Sequence, residues 1–176
     1  MIKKIGAKIF ANYIHQKNQK WIKKPLSAQQ KTFDYLIQKA KSTDFGIYHK
    51  FHQIKNYQDF QSLVPIRDYE GHRAYVDKML EGASSVLWPG KPLYYAKTSG
   101  TTSGAKYIPL TKESMPTHIT AARDALLNYI HETGKTDFVN GKQIFLQGSP
   151  TLNKKNGNII GRLSGIVAHY VPKYLQ

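Results

Sequence analysis

Apolar residues recur at helical spacing near the start of the chain: Ile2, Ile5, Ile9, Phe10, Tyr13 and Ile14, with Lys3, Lys4, Lys8 and Asn12 between them. The spacing predicts an amphipathic helix over 2–14 that packs its apolar stripe onto the rest of the protein. Pro25 ends this basic segment. Ser27 with Gln30 reads as a capping box, and Phe33, Leu36, Ile37 and Ala40 give the helix that follows a buried face. Thr43-Asp44-Phe45-Gly46 reads as a turn. A short helix is expected over 57–63 before Pro65, then one over 69–81 with Asp68 as N-cap and Gly82 as stop. Beyond Gly82 the pattern shortens. Residues 84–88, 93–97 and 107–110 read as short strands, punctuated by Pro89-Gly90 and by a glycine- and hydroxyl-rich run. Thr111 caps a long helix over 112–133, with Met115, Ile119, Ala122, Leu126 and Ile130 on one face and Gly134 as its stop. Residues 143–147 read as a further strand and 154–158 as a turn, while 159–171 fit helix or strand equally.

The class is therefore α/β: a helical portion over 1–83, then an α/β portion over 84–176 in which a mixed sheet has only begun. That pattern leads us to expect an incomplete domain. A hydrophobic content of 40% is enough for a packed core. The absence of cysteine excludes disulfides and thiolate metal sites and fits a reducing compartment. No apolar run has the length of a membrane span, and Lys8 and Asn12 interrupt the only stretch resembling a secretory core. A cytoplasmic protein without membrane attachment is the expectation.

Net charge is +15, and residues 1–55 hold twelve lysines against Asp34 and Asp44 alone. Such a surface suits nucleic acid or another polyanion, so a non-catalytic basic module acting through residues 1–55 is the alternative function. Phe10, Tyr13 and Trp21 are interleaved with these lysines, but helical spacing accounts for the first two as core. A solvated helix face explains the charge more simply.

The chemistry lies in Thr98-Ser99-Gly100-Thr101-Thr102-Ser103-Gly104-Ala105-Lys106. Glycines let a backbone approach a ligand closely, and consecutive amides, hydroxyls and an ammonium together solvate an anion. The nucleoside triphosphatase loop is excluded, because Gly100 and Gly104 enclose three residues and Lys106 is followed by Tyr107. The dinucleotide fingerprint is excluded because a strand, not a helix, follows. His49 and His52 lack partners for a zinc site, no Gly-x-Ser-x-Gly elbow is present, and Asp68 and Glu70 are explained by helix capping and the dipole.

The loop resembles the phosphate-binding signature of adenylate-forming ligases. Leu87-Trp88-Pro89-Gly90, Tyr107-Ile108-Pro109-Leu110-Thr111, Val64-Pro65-Ile66-Arg67-Asp68-Tyr69-Glu70 and Thr43-Asp44-Phe45-Gly46 with Asp59-Phe60 are similar to the plant auxin-responsive acyl-acid amido synthetases and their bacterial relatives. One departure is Ser103 inserted before Gly104, with Ala105 where many acyl ligases carry proline. The resemblance implies an adenylate-forming-enzyme domain using ATP and Mg2+, with a small carboxylic acid and an amine or amino acid as substrates. It implies that Thr98, Ser99, Gly100, Thr101, Thr102, Ser103, Gly104 and Lys106 contact phosphate. Met115, His118, Ser164 and Gly165 are implied to line the nucleotide and acyl pockets. Relatives are considerably longer, so an amino-terminal fragment without turnover of its own is expected, with the catalytic residues unassigned.

Overall fold

The computed structural model describes residues 2–98, 104–141, 144 and 146–171. Helix α1 (Ile2–Ile22) runs past the expected end at residue 14 and lies along helix α6 (Met115–Thr133). Their interface buries Ala11, Ile14, Leu127 and Ile130, with Ala7, Phe138 and Val139 packed against them. The stripe differs from the expected one: Ile2 is 87% exposed, and Ile5, Ile9 and Tyr13 also face outward. The reason is shape. Ala7 and Ala11 present little bulk, so α6 approaches closely and its own Leu127 and Ile130 fill the space. Phe10 lies beside the Arg123 guanidinium, 5.4 Å from its ring centroid.

Helix α2 (Pro25–Ala40) starts three residues earlier than the capping box suggests, with Lys24 in place of Ser27 as N-cap. Pro25 at N1 has its φ preset and lacks the N–H that would be orphaned there. Ser27 therefore sits inside the helix, and Gln30 hydrogen-bonds Asp34 instead, at 2.8 Å. The expected turn at 43–46 is the start of a one-turn helix, α3 (Asp44–Tyr48). Buried Thr43 caps it: its Oγ1 accepts from Gly46 N at 3.0 Å and donates to the Ala40 carbonyl at 2.7 Å. Helix α4 (Tyr57–Leu63) is capped by Asn56, which accepts from Asp59 N. Helix α5 (Tyr69–Leu80) is capped by Asp68, which accepts from Gly71 N at 2.9 Å. Gly82, at φ +104°, turns the chain away after it.

Residues 84–88 are not a strand. The carbonyls of Ser85 and Val86 accept from the N–H groups of Asp44 and Phe45, both at 3.0 Å, so this segment satisfies donors that the first turn of α3 leaves unpaired. The strands are β1 (Tyr94–Lys97), β2 (Tyr107–Leu110), β3 (Asn153–Lys155) and β4 (Asn158–Gly161), joined in one sheet in the order β2-β1-β4-β3. β1 pairs antiparallel with β2, matching Tyr94 with Leu110 and Lys97 with Tyr107. It pairs parallel with β4, matching Tyr95 with Ile160 and Ala96 with Gly161. The expected turn at 154–158 narrows to Asn156 and Gly157, both at positive φ, linking β3 to β4. The ambiguous stretch 159–171 divides into the rest of β4 and helix α7 (Leu163–Ala168). Of the strand expected over 143–147, residues 143 and 145 lie outside the described residues, and Ile144, Leu146 and Gln147 have no strand structure.

β1 is buried on both faces, as a central strand with a parallel neighbour should be. Tyr95 packs with Val76, Met79, Val86 and Ile160 on one side, and Ala96 with Leu110, Met115 and Ile166 on the other. Helix α5 thus backs one face, while the start of α6 and helix α7 cover the other. Among the described residues no helix is long and apolar enough to cross a membrane.

Candidate functional site

Because β1 and β4 run parallel, their carboxyl ends open on the same edge of the sheet. Ligands in α/β folds bind at such edges, where the chain leaves the strands and backbone groups become free. The hydroxyl–glycine loop leaves β1 there. Thr98 N donates to the Lys106 carbonyl at 3.0 Å, extending the β1–β2 ladder one step beyond Lys97 and Tyr107 and closing the neck of the loop. Thr98 and Gly104 are exposed at this neck. Gly104 has φ +79°, and among the described residues nothing lies within 4 Å of where its Cβ would stand. Ser99, Gly100, Thr101, Thr102 and Ser103, also expected to contact phosphate, lie outside the described residues.

Lys106 is held from below. Its ammonium sits 5.4 Å from the centroid of the Tyr69 ring, and Arg73 lies over the same ring at 5.7 Å. The Tyr69 hydroxyl accepts from Tyr107 N at 2.8 Å and donates to the Tyr107 carbonyl at 3.5 Å, anchoring the first residue of β2 to the start of α5. Glu70 receives two hydrogen bonds from Arg73, from Nε at 2.6 Å and Nη2 at 2.9 Å. That bonding, with the charges of Arg73 and Lys106 adding to it, holds the Glu70 carboxyl below the ordinary carboxylate range. The same pair raises Arg73 further. Lys106 forms no ion pair with a described carboxylate, so its charge is available to a ligand. Tyr69 and Arg73 were not singled out as site residues by sequence. The Tyr69–Tyr107 bond spans 38 residues and no local pattern signals it, whereas Arg73 makes its contacts within α5, to Glu70 and the Tyr69 ring.

Helix α7 continues from β4 at the same edge. Ser164 Oγ accepts from Gly148 N at 2.9 Å. Gly165 is buried, and a Cβ there would run into the Ser149 carbonyl. The two residues hold segment 148–150 against α7, where the His169 ring also bonds the Pro150 carbonyl at 2.8 Å. Met115 is 2% exposed, packed beneath the sheet with Ala96, Leu110 and Ile166. His118, one turn further along α6, is half-buried. The structure therefore brings Thr98, Gly104, Lys106, Ser164 and Gly165 to one edge, with Met115 in the core beneath it.

A mixed α/β sheet carrying a hydroxyl–glycine loop at the carboxyl end of its central strand is the class this fold defines. Residues 14–172 match the GH3 family N-terminal domain, and the chain belongs to the GH3 family. It is 36% identical over 83 residues to indole-3-acetic acid-amido synthetase GH3.15 of Arabidopsis thaliana, a match covering 46% of this chain and 14% of that protein. In three dimensions it resembles the GH3.15 acyl acid amido synthetase, with a TM-score of 0.66, 21% identity, and coverage of 77% of this chain and 24% of that one. The second likeness bears on the fold. The chain thus spans less than a quarter of the length of either relative.

Proposed function

We propose that this chain is the phosphate-gripping portion of an ATP-dependent acyl-acid amido synthetase, which activates a small carboxylic acid as its adenylate and passes the acyl group to an amine or amino acid. One observation carries the reading. The hydroxyl–glycine loop leaves the central strand at the carboxyl edge, its neck closed by the Thr98–Lys106 bond, in a chain whose relatives are named as amido synthetases. When bound, ATP supplies the adenylyl group and magnesium screens its phosphates.

The described residues fit the phosphate end of that ligand. Gly104 has open space at its Cβ position among the described residues, Thr98 offers a hydroxyl, and the Lys106 ammonium stands over Tyr69 with no ion pair to a described carboxylate. Donors held in place before charge develops are worth more than donors that must reorganise, and here the charge falls on the departing pyrophosphate. Glu70 is already engaged by Arg73 and is not assigned to magnesium. Ser164 and Gly165 shape the far wall of the same edge, and the cytoplasm is the proposed location. The 176 residues alone are expected to show no turnover, because adenine, ribose and metal contacts are assigned to none of them.

Calorimetric titration with magnesium pyrophosphate tests the reading. Saturable binding should weaken about tenfold in Lys106→Ala, the scale of one charge-assisted contact. A Lys3→Ala, Lys8→Ala double variant should bind as before. Equal weakening in both, or tight salt-sensitive binding of an unrelated oligonucleotide, would favour the basic-module alternative instead. Acid-dependent ATP–pyrophosphate exchange by this chain alone would contradict the expected lack of turnover.

A further inference from the structure

His15 on α1 and His131 on α6 face each other at the helix interface, with Glu132 beside them. The two imidazoles stack with centroids 3.6 Å apart and planes 17° from parallel. One ligand atom from each of the three residues lies within 4.8 Å of the others. Each histidine directly follows a core residue of the α1–α6 seam, Ile14 or Ile130, so packing fixes where its ring begins.

From this geometry we propose that His15, His131 and Glu132 form a binding site for a divalent transition-metal ion of the zinc class, which clamps α1 to α6. The Gln19 amide nitrogen lies 3.3 Å from His15 Nε2 and donates to it, which puts the ring proton on Nδ1. That nitrogen faces Glu132 Oε1 across 3.9 Å, too far for a hydrogen bond. A metal ion seated between the two would displace that proton and take the bared nitrogen and the carboxylate as ligands. Ligand atoms around a tetrahedral zinc stand roughly 3.4 Å apart, given Zn–N and Zn–O distances of about 2.0–2.2 Å. Closing the 4.8 Å spread requires the two rings to leave their stack and turn about Cβ–Cγ, a torsion with broad minima, until both planes meet at the ion, with an exposed glutamate following.

Two further features agree. His131 and Glu132 lie in the last turn of α6, where unpaired carbonyls favour positive charge. The His15 side chain is 20% exposed and that of Glu132 60%, so the ion can enter and a water can complete a four-coordinate shell. A two-histidine, one-carboxylate set suits zinc, with nickel and copper as tighter competitors.

Equilibrium dialysis of the 176-residue chain against zinc, with Co2+ absorption to report coordination, tests this. One ion per chain should bind, the thermal midpoint should rise with zinc, and amide exchange over residues 11–18 should slow. Glu132→Gln should weaken binding at least tenfold while leaving the metal-free midpoint unchanged, and His131→Ala should abolish it. Failure to bind zinc, or binding unchanged in both variants because other histidines hold the ion, would overturn the proposal. Binding that leaves exchange in α1 unaltered would overturn the clamp.

Discussion

Replacing Gly165 with alanine probes how α7 is seated at the candidate site. The added Cβ would collide with the Ser149 carbonyl oxygen and stand 3.0 Å from its carbon and 3.1 Å from Pro150 Cα. All three atoms are backbone, so no rotamer change relieves the clash; α7 or segment 148–150 must move. Overpacking costs about 1–3 kcal/mol, and a collision with a backbone oxygen that cannot swing aside puts this one in the upper part of the range, about 2–3 kcal/mol. Alanine returns up to about 1 kcal/mol through its better helix propensity. The clash wins, leaving a net loss of about 1–2 kcal/mol, which lowers the thermal midpoint by about 2–8 °C at this chain length. Gly6→Ala is the comparison. Gly6 lies in α1 with nothing within 4 Å of its Cβ position, so propensity acts alone and the midpoint should rise by about 1–4 °C. Thermal melts followed by far-UV circular dichroism read both. A Gly165→Ala variant as stable as the parent would refute the reasoning, since it would mean that segment 148–150 does not pack on α7.

Tyr95 is 1% exposed, and its hydroxyl has no partner among the described residues, so Tyr95→Phe should match or exceed the parent in urea unfolding at pH 8. Burial pushes this phenol up to about 12, so its contribution is intact below the ordinary value near 10 and is lost as pH rises from there through about 12. The phenylalanine variant should lose stability less steeply over that window, and parallel profiles would contradict the assignment. Thr43→Val removes both bonds of a buried hydroxyl, leaving the Gly46 N–H unpaired while the Ala40 carbonyl keeps the backbone N–H of residue 43, and should cost about 1–3 kcal/mol in the same assay; stability equal to the parent would count against it. Tyr69→Phe deprives Tyr107 N of its acceptor while keeping the ring beneath Lys106, so pyrophosphate affinity should fall severalfold, less than in Lys106→Ala. The reverse order would show that the hydroxyl's hold on Tyr107, and not the Lys106 charge, carries the grip.

Where local chemistry decides structure, the sequence was legible. Asp68 caps α5 and Gly134, at φ +67°, ends α6 as expected, because each acts on backbone groups within four residues of itself. Helix α1 shows the limit. Its period was plain but its buried face was not, since the partner chose small Ala7 and Ala11 over Ile5 and Ile9, and apolar ranking favours size. Residues 84–88 have the composition of a strand, yet their carbonyls are taken by the N–H groups of α3, some forty residues earlier. The stretch 159–171 stayed ambiguous because β4 is fixed by pairing with β1, more than sixty residues earlier, as well as with β3. The loop announced itself through its own glycines and hydroxyls. Its support from Tyr69 did not, because the contacts with Lys106 and Tyr107 are made only in the folded chain.

The claim that the carboxyl edge of β1 and β4 grips phosphate is tested most directly by mapping where pyrophosphate binds. In an amide NMR titration of the isotopically labelled chain, the largest shifts should fall on Thr98, Gly104, Lys106 and Tyr107, with smaller ones at Gly148, Ser164 and Gly165. Shifts confined to the lysines of residues 1–55, disappearing with moderate salt, would contradict the account and return this chain to the class of basic polyanion binders.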